Sequence, residues 1–142
     1  MVALLLLACG DKEPFFQRET GRWDSAPTQE TGVEICQVPV PADARVVTGI
    51  DFNNDYRATL IACAGSDVTN NGPESTIYVA TGALVKNYAA GAVLYVEGDA
   101  TVQNTVGDAT VTYAASADVG VVEAYRTATE CPGLLLTENP CP

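Results

Sequence analysis

Histidine is absent from this 142-residue chain, and basic residues are few. Without histidine, the chain lacks the commonest general base, the commonest neutral metal ligand and every serine–histidine or cysteine–histidine nucleophile. Only 7 Lys and Arg stand against 18 Asp and Glu, so the formal net charge is −11. Such a charge repels the phosphates of nucleic acids and anionic lipid headgroups. The sequence therefore predicts a protein that is not an enzyme, holds no cofactor or metal, and binds no nucleic acid.

Long apolar runs are also missing. A transmembrane helix needs about 20 consecutive apolar residues, and the run near the N-terminus is far shorter. The hydrophobic content of 47% is nevertheless too high for a disordered chain, and the length suits one globular domain. Val, Ala, Thr, Gly and Tyr dominate residues 75–122, which is typical of β-strands. We therefore expect a single, mostly β domain.

The N-terminus combines a short apolar run with a cysteine, in the order MVALLLLACG. Residues 6–8 (Leu-Leu-Ala) followed by Cys9 and Gly10 resemble the bacterial lipobox, in which the cysteine is acylated and the peptide before it is removed. The resemblance implies a lipoprotein with residues 1–8 as its signal peptide and Cys9 as the lipidated residue. Several acyl chains would anchor it to a membrane firmly. Because Gly10 separates Asp11 from the cysteine, the resemblance also implies the outer membrane.

The next segment has the composition of a linker. Residues 10–32 read GDKEPFFQRETGRWDSAPTQETG and show neither helical nor strand periodicity. We interpret residues 9–32 as a lipidated tether and residues 33–142 as the folded domain. Export signals open with positive charge, whereas only Met1 and Val2 precede the apolar run, so we expect the natural start to lie upstream.

A period of seventeen residues organises the domain. Four columns spaced by seventeen are small or apolar: Leu60, Ile77, Leu94 and Val111; Ala62, Val79, Val96 and Tyr113; Ser66, Ala83, Ala100 and Ala117; Val68, Val85, Val102 and Val119. Within each row the columns alternate with polar positions, as in two short strands that share one apolar side. Bends fall at Gly65, at Gly82 and at Gly98-Asp99. The segment 46–52 fits as an earlier coil whose spacing slips.

A further column consists of Asn53, Asn70, Asn87 and Asn104, whose amides are expected to hydrogen-bond from coil to coil. A fixed period with recurring apolar columns is typical of a solenoid. We therefore predict an all-β fold, a short parallel β-helix with coils of about 17 residues, right-handed by preference. An antiparallel β-sandwich is the alternative, because its strands are also regularly spaced.

Four cysteines remain after Cys9, namely Cys36, Cys63, Cys131 and Cys141. An even number suits disulfides in an exported protein. Sequence alone leaves three pairings open. Our first expectation pairs Cys36 with Cys63 and Cys131 with Cys141, because the second pair closes a short loop and the first fixes the entry strand to the solenoid.

Two surface features are candidates for binding. Tyr78 and Tyr95 point outward in adjacent coils and form a candidate face for an envelope glycan or a protein, or a ladder that only stabilises the coils. The segment DFNND, residues 51–55, places oxygens as a calcium loop does, but Tyr56 stands at the glycine position, and a turn explains it as well. Glu97 and Asp99 are expected to be solvated corner residues.

These observations predict a membrane-anchored, cell-envelope structural or display module, with a glycan- or protein-binding module as the alternative. The oligomeric state stays open, although exposed end coils are able to stack between chains.

Overall fold

The computed structural model describes residues 36–142; Cys9 and the predicted signal peptide and tether lie outside the described residues. The described part is built from twelve short strands and one 3₁₀ helix, Val122–Ala124. The strands are β1 (Gln37–Pro39), β2 (Arg45–Val47), β3 (Ile50–Asn53), β4 (Thr59–Ala62), β5 (Asp67–Asn70), β6 (Thr76–Val79), β7 (Leu84–Asn87), β8 (Val93–Val96), β9 (Thr101–Asn104), β10 (Thr110–Tyr113), β11 (Thr127–Glu130) and β12 (Leu135–Thr137).

Every strand pair is parallel, and the chain winds as a β-solenoid. One sheet has six strands in the order β11-β10-β8-β6-β4-β2, and the other has four in the order β3-β5-β7-β9. Thr59 pairs with Thr76, and Thr76 with Val93, so each coil advances by seventeen residues. The parallel β-helix prediction is confirmed, and the antiparallel sandwich is wrong.

The core lies between the two sheets and follows the apolar columns. Leu60, Ile77, Leu94 and Val111 are fully buried on the six-stranded side, and Val68 and Val85 are fully buried on the other. Side chains of a strand alternate between faces, so the neighbours Lys86 and Gln103 face outward. Burial of each large apolar side chain in these columns stabilises the fold by about 1.5–3 kcal/mol.

The corners require unusual backbone conformations at the predicted positions. Gly65 and Gly82 have φ of +81° and +84°, and Asp99 adopts +62° at the same place in the next coil. Glycine reaches positive φ without a steric penalty, and aspartate tolerates it better than most residues. The bends predicted at these positions are therefore confirmed.

The asparagine column forms a continuous hydrogen-bonded ladder. Nδ2 of Asn53 donates to Oδ1 of Asn70 at 2.7 Å, Asn70 donates to Asn87 at 2.8 Å, and Asn87 donates to Asn104 at 2.9 Å. Oδ1 of Asn53, Asn70 and Asn87 each also accepts the backbone N–H two residues further on, as Asn70 does from Gly72. Each amide thus supports its own corner and the next coil, which satisfies polar groups that would be costly to bury unpaired.

The first coil departs from the seventeen-residue spacing, as expected. β2 pairs with β4 at an offset of fifteen residues, Arg45 beside Leu60, whereas β3 and β5 keep the offset of seventeen. The turn between β2 and β3 is therefore two residues shorter than its counterparts. Arg45 stands in the column of Leu60, and Asp51 in the column of Val68, so an ion pair replaces apolar residues at this end of the core.

Two segments outside the coils form a strap along the outer face of the six-stranded sheet. β1 and β12 pair in parallel, with Gln37 beside Leu135. The C-terminal segment contacts successively earlier coils, since Ala115 N–H donates to the Pro132 carbonyl, Leu136 N–H donates to Glu97, and Cys141 is bonded to Cys63. The strap, residues 36–41 and 131–141, therefore runs across the coils from the last towards the first.

Candidate functional site

The tyrosine face lies beneath the strap. The rings of Tyr78 and Tyr95 stack with their centroids 5.3 Å apart and their planes 14° from parallel. Tyr78 is only 8% exposed and packs in a second apolar cluster with Ile61, Ala80 and Leu136. Burial, and then the neighbouring Tyr95, raise the pKa of Tyr78 above its usual value. The strap thus covers most of the face proposed from the sequence, and Tyr95 is half-buried.

Two disulfides hold the strap, and they correct the expected pairing. Cys36 is bonded to Cys131 and Cys63 to Cys141. The expectation of Cys36 with Cys63 and Cys131 with Cys141 is wrong because the residues between Cys131 and Cys141 do not form a closed loop. They extend along the solenoid instead, which carries Cys141 to the first regular coil. One disulfide lies beside the last coil and the other beside the corner that follows β4.

Glu97 fastens the middle of the strap. Its Oε2 accepts the backbone N–H of Leu136 at 2.8 Å, and its Oε1 accepts the backbone N–H of Thr81 at 3.0 Å. Glu97 is 8% exposed, so its prediction as a solvated corner residue is wrong, whereas Asp99 is exposed as expected. A carboxylate that accepts two N–H groups links the strap to two coils, with each bond to a charged group contributing about 1.5–3 kcal/mol.

A groove of about 290 Å³ opens at the other face, beside β9. β9 pairs with β7 on one side, but on its other side it makes a single described bridge, Thr101 with Asp118. The chain turns away at Gly120, whose φ is +75°. Asn104, the last amide of the ladder, lines the groove and donates to the carbonyls of Val106 and Ala124.

Tyr125 closes the core behind this groove. Its ring is 7% exposed within the main apolar cluster, and its hydroxyl donates to the carbonyl of Val119 at 2.7 Å. Burial, with a smaller contribution from Asp118, raises the pKa of Tyr125 to about 12. The buried ring of Tyr125 therefore closes the core at the last coil, whereas the ion pair between Arg45 and Asp51 lies at the first coil.

Three cations of the described residues are each paired with a carboxylate. Arg45 donates to Asp51 at 2.6 Å, Arg57 to Glu74 at 3.0 Å, and Lys86 to Asp67 at 3.3 Å. Two of the side chains that a calcium loop at residues 51–55 would use are engaged elsewhere. Asp51 is paired with Arg45, and Asn53 belongs to the buried ladder. Among residues 36–142, no cluster of three or more metal-ligating side chains occurs.

Comparisons with protein-family models, with curated proteins and with solved structures found no match to this chain. Within the described range, no helix is both long and apolar enough to cross a bilayer. The described residues offer three features with functional potential: a disulfide-fastened strap, a groove beside β9, and the open sheet edges of the first coil. The strap and the role of Glu97 were not predictable from the repeat, because neither follows the seventeen-residue period.

Proposed function

We propose that this protein is a lipoprotein acylated at Cys9, and that its solenoid domain is a structural or display module of the cell envelope and not an enzyme. Residues 6–10 carry the lipobox resemblance, and the outer membrane is the location that Gly10 and Asp11 favour. The acyl chains supply the membrane attachment, and the domain supplies a rigid body beyond it.

The observation that carries this proposal is the covalent attachment of Cys36. Cys36 directly precedes β1, and its bond to Cys131 links the N-terminal strand of the domain to the last coil. Force applied through the tether then reaches the solenoid through a covalent bond, rather than through the three-residue strand β1 alone. Such a link suits a domain that must stay folded while it is held at a surface.

The disulfides support an envelope location as well. Structural disulfides persist in oxidising compartments such as the periplasm and the cell surface, and they are rare in the reducing cytosol. The alternative of a glycan- or protein-binding module that uses Tyr78 and Tyr95 is less favoured, because the strap buries Tyr78. A ligand on this face would reach Tyr95 only in part.

The test is the fate of a Cys9→Ser variant, expressed with its full natural start. We expect the wild-type protein to fractionate with membranes and to carry acyl mass on Cys9, and the variant to be released. A Cys36→Ser/Cys131→Ser double variant is the matched control, since it removes two cysteines without changing the lipobox and should stay with the membrane. Membrane fractionation of the Cys9→Ser variant equal to wild type, with no acyl mass on the wild-type protein, would refute the proposal.

A further inference from the structure

The first coil concentrates the exposed apolar side chains of the described domain. Of the seven large apolar residues that are exposed, four belong to this coil: Val46, Ile50, Phe52 and Tyr56. Ile50 and Phe52 are 80% and 63% exposed and project from the outer face of β3. An apolar group at the end of a strongly acidic domain is unusual and marks a contact surface.

The backbone of the first coil is open at the same residues. β2 and β3 are the end strands of their sheets, and each pairs with one described strand only. In a parallel pair, alternate residues direct their N–H and C=O groups to the neighbour. Val47, Gly49 and Asn53 accept bonds from the N–H groups of Cys63, Asp67 and Asn71 on the paired side, so the alternate residues Val46, Ile50 and Phe52 direct their groups to the open edge.

The charged side chains of the first coil are placed so that they complement those of a second molecule. Arg45 lies on β2 and Asp51 on β3, both on the core side, with 2.6 Å between Nη1 and Oδ2. β2 and β3 run in opposite directions, because the chain returns along the second sheet. A two-fold axis parallel to these strands therefore places β3 of a second copy antiparallel to β2 of the first, at the same level along the strands.

We propose that two copies of this chain associate head to head through their first coils. In this arrangement Val46 lies opposite Ile50 of the second copy and exchanges two backbone hydrogen bonds with it, and the symmetry repeats the exchange. Arg45 lies opposite Asp51 of the second copy at the closer, non-hydrogen-bonded position, where cross-strand ion pairs form best. The exposed side chains of Val46 and Ile50 then meet on the outer face, and Phe52 extends the contact.

A second copy is the occupant that these observations favour. The surface presents both the β2 and the β3 edge, and each edge is complementary to the other in backbone spacing, apolar side chains and charge. Cys36, the residue before β1, is bonded to Cys131 beside the last coil, at the opposite end of the solenoid. The first coil is thus at the end of the solenoid away from this disulfide.

Sedimentation equilibrium of the full oxidised chain, in a density-matched non-ionic detergent, tests the association. We expect a concentration-dependent dimer, and we expect Ile50→Glu to raise its dissociation constant at least about tenfold. Val121→Glu is the matched control, because Val121 is 67% exposed but lies beside the groove at β9, and it should dimerise as wild type does. A wild-type chain that stays monomeric up to millimolar concentration, or a dimer that Ile50→Glu does not weaken, overturns the proposal.

Cross-linking tests the register independently. Hydrogen-bonded antiparallel pairs have Cα atoms about 5.5 Å apart, which suits a disulfide. A Val46→Cys chain mixed with an Ile50→Cys chain should form an intermolecular disulfide on mild oxidation, whereas Val121→Cys mixed with Ile50→Cys should not. Equal cross-linking of the two mixtures, or protection of the Val46 and Ile50 amides from hydrogen exchange in a monomer, would show another occupant and refute the head-to-head dimer.

Discussion

The coil stack and the strap are stabilised in different ways. Within the stack, each residue contacts its equivalents seventeen positions away, as Ile77 does with Leu60 and Leu94. The strap has no repeat, and its fixed points are two disulfides between residues 95 and 78 positions apart, with Glu97 between them. Repetition gives the stack many equivalent contacts, whereas the strap depends on a few contacts that are each different.

This difference predicts how local and global stability separate. Loss of one buried contact in the stack weakens neighbouring coils, because each coil buries its apolar side against the next. Loss of a strap contact uncovers Tyr78 and the outer face but leaves the core between the sheets in place. We therefore expect stack variants to unfold the domain and strap variants to loosen one surface first.

The largest effect is expected from a charge inside the stack. Val102 is 2% exposed, so Val102→Asp loses about 1.5–3 kcal/mol of stabilisation from apolar burial. It also adds an unpaired buried charge. Both costs fall on a domain whose free energy of unfolding is about 5–15 kcal/mol. The variant should not fold. Gln103→Asp, one position later and exposed, should change stability by about 0.5 kcal/mol or less. Thermal unfolding with the disulfides intact measures both, and equal tolerance would mean that the register is misassigned.

The next largest effect is expected from the strap disulfides. A Cys36→Ala/Cys131→Ala double variant should lose about 2–5 kcal/mol in urea unfolding, because the disulfide closes a loop of 95 residues. Hydrogen exchange should accelerate first at strap amides such as Leu136 and later at coil amides such as Val85. Uniform acceleration across both regions would contradict the separation of strap and stack.

Removal of the Glu97 carboxylate should have a smaller effect on the same surface. Glu97→Ala leaves the N–H groups of Leu136 and Thr81 without their acceptor and should cost about 1.5–3 kcal/mol. Glu123→Ala, an exposed carboxylate outside the strap, serves as the control and should be near neutral. If the two variants melt at the same temperature, Glu97 does not fasten the strap.

The smallest effect at neutral pH is expected from Tyr125→Phe, which removes the hydrogen bond to Val119 and should cost about 1 kcal/mol. The folded protein raises the pKa of Tyr125 from 10.0 to about 12, so its contribution is complete below pH 10 and is lost as the pH rises towards 12. Melting temperatures from pH 9 to 12 should fall more steeply for wild type than for Tyr125→Phe. Equal slopes for the two proteins would mean that folding does not raise the pKa of Tyr125.

The regular coils were predictable because their pattern is local. Alternation along a strand sets which side chains face inward, and the period of seventeen sets which residues stack, so Leu60, Val85 and Asn70 could be placed from the sequence. The slip before β3 was also visible, since Gly49 breaks the spacing of the corner glycines. Glu97 was misjudged because a corner position predicts exposure, and only the crossing of the strap buries it.

The sequence by itself determined the coil length, the inward columns, the asparagine ladder and the presence of four cysteines able to pair. Only the tertiary structure decided that Cys36 joins Cys131, that Cys63 joins Cys141, and that Tyr78 lies under cover. The physical reason is that repeating contacts are fixed by separation along the chain, whereas the path of a non-repeating segment depends on which surface of the finished solenoid it packs against. The same holds for the open edge of the first coil, where the described residues supply no earlier coil and Val46, Ile50 and Phe52 are exposed.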